Sequence, residues 1–244
     1  MSDLSVNSLD CLNKDVIKLL HKNQQLKQLI NIELTKDILR EIKLDKDEEI
    51  NLLNNFRKNL KLEEDEKFND WLSKTPFNLE DIRDTAFYKK RFSLFCSKNF
   101  FHQVDSRFLN RKKDLDIVIY SLMRINDYFK AQELFYRVSE DEEDFGALAA
   151  THSEGLEKKT RGIVGPIAVE KSHPILNKHL RSSKRGQIQA PIPIDDYFVI
   201  IRVESFDSAK LDNNMREKML EELFNEWINS QVDELSSKLI EQYN

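Results

Sequence analysis

Glycine and proline are crowded into one stretch of this 244-residue chain. All five glycines (Gly146, Gly155, Gly162, Gly165, Gly186) and four of the five prolines (Pro166, Pro174, Pro191, Pro193) fall between positions 146 and 193. These residues punctuate turns and interrupt regular elements. The first 145 residues hold no glycine and only Pro76, so they are free to form long helices with short polar joints. Turn-rich, sheet-containing structure is expected in the later third. Hydrophobic spacing agrees. Leu9, Leu12, Val16, Leu19 and Leu20 recur at helical intervals, as do Leu26, Leu29 and Ile30, and then Ile50, Leu53, Phe56 and Leu60. Phe68, Trp71 and Leu72 predict a short helix stopped near Pro76. Asn78 reads as an N-cap, with Asp81 three residues on. The helix it opens carries Ile82, Ala86, Phe92, Phe95, Cys96 and Phe100.

The pattern changes at Asp114. Residues 115–123 are rich in β-branched side chains and predict a strand, with Val118, Tyr120, Leu122 and Arg124 sharing one face. Asn126 or Asp127 caps a following helix whose stripe is Ala131, Leu134, Phe135 and Val138. The acidic run Glu140 to Asp144 suits the start of the next helix, holding Phe145, Leu148 and Ala149, better than it suits a metal. Residues 154–171 read as a loop, followed by a short helix from His173 to Arg181. Tyr197 to Val203 is an almost continuous apolar run, expected of a central strand covered on both faces. Beyond Ser205, the stripe Met215, Met219, Leu223, Trp227, Val232, Leu235, Leu239 predicts a helix of ~30 residues, or ~45 Å. That length lets it return to the N-terminal helices. The expected chain is α+β, with a helical domain at 1–113, a sheet-bearing domain at 114–206, and a helix at 207–244 that packs on the first.

Composition excludes several functions. The net charge is −5, with 40% hydrophobic and 33% charged residues, so the chain is globular and no natural binder of nucleic acid. No apolar run approaches the ~20 residues that cross a bilayer, so no membrane insertion is expected. Met1 to Leu20 lacks the pattern of a signal peptide, which makes the cytoplasm the expected location. Cys11 and Cys96 are too few for a disulfide scaffold, and His152, His173 and His179 fit no zinc spacing. No P-loop, dinucleotide fingerprint or Ser-His-Asp order is present, and neither a cofactor nor a metal is expected.

Three local motifs together resemble the parvulin-type peptidylprolyl isomerase domain, over roughly Asp114 to Phe206. Asp144-Phe145-Gly146-Ala147-Leu148-Ala149-Ala150-Thr151-His152-Ser153 is similar to that family's "DF..LA...S" helix. Gly162-Ile163-Val164-Gly165 resembles its "GG.LG" loop. Gly186-Gln187-Ile188, then Pro191-Ile192 and the strand Phe198 to Val203, resembles the family's closing segment. The flanking helices look like a SurA-type chaperone body. The resemblance implies a small antiparallel sheet and isomerase activity on X–Pro bonds of proline-containing or unfolded polypeptide clients. It also implies a site. Tyr120 stands where the family has a histidine on the first strand. Gly155 stands where it has cysteine or aspartate, Val199 where it has a second histidine, and Ser172 and Leu176 where it has pocket methionine and phenylalanine. Asp196 matches a position that is often polar. The family's polar network is thus largely replaced. Tyr120 and Asp196 are the expected catalytic participants; Leu122, Ser172, Leu176, Ile188, Ile194 and Val199 are the expected substrate-binding residues. Weak isomerase activity is one expectation. The other is a catalytically inactive SurA-like chaperone or adaptor.

Between Lys158 and Arg185 lie eight basic residues and one acid, Glu170. This stretch reads as a solvated rim, or as a positive border that steers acidic client segments.

Overall fold

The structure, a computed structural model, describes residues 12–243, so the expectations for Leu9 and Cys11 lie outside the described residues. The chain divides into two compact units: residues up to Arg107 together with those from Asp212 onward, and Phe108–Leu211.

The first unit is helical. Its elements are α1 (Lys14–Lys22), α2 (Leu26–Arg40), α3 (Lys46–Asn59), α4 (Asp65–Ser73), α5 (Leu79–Phe100) and the 31-residue α10 (Asn213–Tyr243). Asn78 caps α5 as its spacing predicts: its side chain accepts from the Glu80 and Asp81 amides, and Asp81 returns a bond to the Asn78 amide. Helices α2, α5 and α10 pack on one another. Ile30 and Leu34, Phe87 and Cys96, and Met219, Phe224 and Ile228 are among the side chains they bury. Aromatic rings fill the α5–α10 seam, with Phe224 edge-on to Phe92 at 4.8 Å and to Phe95 at 5.8 Å.

The second unit is α+β. The α6 helix (Val104–Leu115) enters it and ends on Leu115, so β1 spans Ile117–Ile125, two residues later than the sequence suggested. The joint is pinned by Asp116, which is 8% exposed. Its carboxylate accepts from the Ala209 amide and its carbonyl from the Val169 amide, each at 2.8 Å. Next come α7 (Tyr128–Ser139), capped by Asp127, and α8 (Phe145–His152), capped by Asp144. A 3₁₀ turn (Leu156–Thr160) leads to β2 (Ile163–Ala168). The α9 helix (Pro174–Ser182) follows, with His173 at its N-cap. The hairpin of β3 (Ile188–Ile194) and β4 (Tyr197–Asp207) closes the unit.

The sheet is antiparallel, in the order β2-β1-β4-β3. Strand β4 is central and apolar on both faces, as its sequence predicts. Val199, Ile201 and Val203 point one way, and Ile200 points toward α7 and α8 with Met123 and Ile125. Two edge strands were not visible in the sequence. The segment 154–171 contains β2, interrupted by Gly165, and β3 contains Pro191 and Pro193. An edge position tolerates both residue types, because one rank of backbone groups has no partner strand.

Gly165 is required where β2 crosses β1. Its φ is +114°, and a Cβ there would lie 2.6 Å from the Val118 carbonyl oxygen. Gly165→Ala is expected to destabilise the folded chain by about 2 kcal/mol or more, through strain and a clash with backbone that has nowhere to move. Urea unfolding of the two proteins checks this.

Candidate functional site

The β1–β4 pairing assembles the site. Tyr120 faces Val203 in the register, Leu122 faces Ile201, and Arg124 faces Val199. Because side chains alternate along a strand, Val118, Tyr120, Leu122, Val199, Ile201 and Val203 all emerge on one face. From α9, Leu176 and Leu180 lie against this face; from β3, Ile192 and Ile194 close its edge. The packing is tight. Tyr120 is 4% exposed, Leu122 5%, Leu176 4%, Ile194 7% and Val199 2%. A proline ring therefore reaches this face only at its rim, or by displacing a side chain. Burial raises the Tyr120 hydroxyl's pKa above its ordinary value of 10.0; nearby Arg124 opposes the shift and Glu157 adds to it.

The structure thus brings together Tyr120, Leu122, Leu176, Ile194 and Val199. Ser172 is buried beside them at the approach to α9, where its hydroxyl donates to the Val169 carbonyl at 2.8 Å and contacts the Asn177 side chain. Two expected site residues are placed elsewhere. Ile188 packs on the opposite face of the sheet, with the Met123 and Ile125 cluster. The register slips between Gln189 and Ile192, and one extra residue reverses which face a side chain takes. Asp196 is exposed at the tip of the β3–β4 hairpin, in a turn with Asp195, whose φ is +51°. Seven residue steps along the strand separate it from Val203, the partner of Tyr120; at ~3.3 Å each they span ~23 Å. Asp196 and Tyr120 do not form one constellation.

A polar network borders the face instead. Arg124 donates from Nε and Nη2 to the two oxygens of Glu157, at 3.1 and 2.8 Å. Ser153 Oγ donates to the same carboxylate at 2.6 Å and accepts from the Arg124 amide at 3.1 Å. The Glu157 side chain is 2% exposed, that of Arg124 43%. Sequence reasoning missed Glu157, met Ser153 only as the closing serine of the helix motif, and noted Arg124 as a neighbour of Tyr120 on its strand that could add to the positive border. The available signal was the local order Ser153, Gly155, Glu157, where the helix motif passes into a segment read as loop. The basic border is partly neutralised within the unit: Arg161 pairs with Asp144 at 2.6 Å and Arg181 with Asp114 at 3.0 Å.

Residues 124–205 match the family model described as Rotamase: PPIC-type PPIASE domain. No curated protein matches the chain. Among solved structures, the peptidylprolyl isomerase PrsA from Bacillus anthracis is 17% identical, with a TM-score of 0.50, covering 85% of this chain and 97% of that one. PrsA from Bacillus cereus is 16% identical, also with a TM-score of 0.50, covering 90% and 86%. A SurA-like chaperone of Campylobacter jejuni is 13% identical with a TM-score of 0.39, covering 90% and 92%. At these identities the likeness is one of fold. The chain is thus an α+β protein in which residues 124–205 match the PPIC-type peptidylprolyl isomerase model and the remaining helices form a separate compact unit.

The raised Tyr120 pKa makes a stability prediction. A group titrating higher in the folded than in the unfolded chain contributes stability that is complete below the unfolded value, near 10.0, and is lost as pH rises through the folded value. Tyr120→Phe is expected to lose less stability above pH ~10 than the parent does. Tyr88 is also raised by burial, so the difference between the two denaturation profiles, not either alone, is the measure.

Proposed function

We propose that the Tyr120–Leu122–Val199 face beneath α9 holds the X–Pro segment of a polypeptide client and speeds its cis–trans isomerisation, more weakly than a full parvulin polar network would. The observation that carries this reading is that the domain's first and last strands gather Tyr120, Leu122, Leu176, Ile194 and Val199 on one desolvated face. Isomerisation makes and breaks no covalent bond. Its barrier is ~18–20 kcal/mol, because the amide must give up resonance. An apolar surface shaped to the twisted amide lowers that barrier without a nucleophile or general base. Each hydrogen bond missing from the twisted state costs about ten- to hundredfold in rate, at roughly 1–3 kcal/mol apiece. A protease-coupled assay on a short X–Pro peptide tests the reading. Acceleration over the uncatalysed control is expected, and Leu176→Ala should lower kcat/KM about tenfold or more at a temperature where the variant is folded. Rates equal to the control would remove the activity.

A second reading, client holding without turnover, is favoured by one feature of the helical unit. A groove of about 940 Å³ runs between α2, α5 and α10, lined by Tyr88, Phe92, Leu220 and Phe224. Ile32 and Phe77 stand at it 44% and 55% exposed. Glu217 and Glu221 border it from α10. Cys96 lies within, its thiol pushed up to about 12, chiefly by burial with a contribution from Glu221, so it stays protonated at neutral pH. An apolar groove whose charged lining is mainly carboxylate, with Asp81, Asp84, Glu217 and Glu221 against Lys36 and Lys89, complements an unfolded segment carrying apolar side chains flanked by lysine or arginine. Binding of such a fluorescent peptide is expected to weaken about tenfold or more in Glu217→Lys/Glu221→Lys, and to be unchanged in Tyr120→Phe. Equal affinity in the charge-reversed protein would exclude the groove.

A further inference from the structure

We propose that Arg124 is the catalytic hydrogen-bond donor to the prolyl amide, and that Glu157 and Ser153 are positioning residues that hold its guanidinium in place. The inference rests on the isomerase reading above and names the group that acts there.

Gly155 carries the first part of the argument. A Cβ built on it would lie 2.2 and 2.4 Å from the two Glu157 oxygens and 2.6 Å from the carboxyl carbon. The Glu157 carboxylate therefore fills the space that a side chain at 155 would occupy. A glycine at 155 and a buried acid at 157 form one device: any larger residue at 155 expels the carboxylate.

The second part is the asymmetry of the ion pair. The acid is sealed while the base is nearly half exposed, at 2% and 43% for the side chains. A sealed carboxylate needs its partners, since a buried charge left unpaired is strongly destabilising. Ser153 and the Arg124 fork supply them. A guanidinium has about five N–H donors in a rigid plane. Nε and Nη2 each give one bond to Glu157, which fixes the plane and leaves the Nη1 edge of the exposed fork for a ligand. By strand alternation Arg124 leaves β1 on the same side as Tyr120 and Leu122, and the register sets it opposite Val199.

The third part is chemical. As the X–Pro bond twists, the nitrogen lone pair leaves conjugation with the carbonyl and becomes a hydrogen-bond acceptor. A fixed N–H donor therefore interacts more strongly with the twisted amide than with the planar one, which is the condition for lowering a barrier. No proton is transferred, and the donor is unchanged at the end of the cycle. Because Glu157 holds the guanidinium beforehand, little reorganisation accompanies the step.

The test uses the full chain and exchange spectroscopy on an X–Pro peptide, with thermal melting to establish that each variant is folded. Arg124→Lys keeps the charge and loses the fork. It is expected to lower kcat about ten- to hundredfold with KM changed less than about twofold. Glu157→Gln is expected to fall similarly, and the double variant to fall no further than Arg124→Lys alone. Guanidinium ion at non-denaturing concentration should partly restore Arg124→Ala. If Glu157→Gln does not fold, Arg124→Lys and the rescue decide. Unchanged kcat in Arg124→Lys overturns the proposal. If the unaltered protein accelerates nothing, the isomerase reading fails by itself, and titration still tests Arg124. Its Nε–H resonance, assigned by its loss in Arg124→Lys, must shift with the proline peptide and not with the Pro→Ala peptide. A resonance that shifts with both, or with neither, overturns the assignment.

Discussion

The sheet-bearing unit depends on the pairing of β1 with β4, two strands distant in sequence and apolar on both sides. The pairing runs from Ile117 opposite Asp207 to Ile125 opposite Phe198. One face receives α7 and α8, the other receives α9 and the β3 edge. A slip by one residue would exchange the two sets, placing Met123 and Ile200 where Leu122 and Val199 now lie. The register is therefore held by burial on both sides at once. The site consists of that register: Tyr120, Leu122 and Arg124 form a row because they are alternate residues of one strand, and Val199 joins them because the partner strand aligns it with Arg124.

Much of this was legible because the signals were local. Clustered glycine and proline separated the helical from the sheet-bearing region. Asn78 caps its helix as its spacing suggested; Asp127, one of two candidates, and Asp144, the end of the acidic run, cap the next two, and His173 stands at the N-cap of a helix whose start was read there. The continuous apolar run of β4 marked a strand covered on both faces. The edge strands were hidden for an equally local reason. Gly165 and Pro166 in β2, and Pro191 and Pro193 in β3, are residues that argue against a strand unless its position in the sheet is known. Ile188 shows the limit of periodicity: a single bulge between it and Ile192 turned a correct alternation onto the wrong face.

Glu157 was illegible for a different reason. It precedes Lys158 and Lys159, and a charged residue in such a run reads as solvated. Its burial depends on Arg124, 33 residues earlier in the chain, arriving through the sheet. No window of local sequence contains both partners. The one local trace is Gly155, whose missing side chain is what leaves room for the carboxylate.

The tight packing of the apolar face and the exposure of Arg124 bear on each other. A face sealed to a few per cent exposure presents little volume to a ligand, so contact begins where solvent already reaches. On this side of β1, Arg124 is such a place, and it is also where charge is fixed. A ligand arriving there exchanges water around the guanidinium for an amide, in surroundings made less polar by Leu122 and Val199. Hydrogen bonds gain strength as the local dielectric falls. The apolar packing then contributes twice: it gives the proline ring a surface to rest on, and it raises the value of the one polar contact at its edge. A face built almost wholly of apolar side chains can in this way concentrate its electrostatics in a single oriented group.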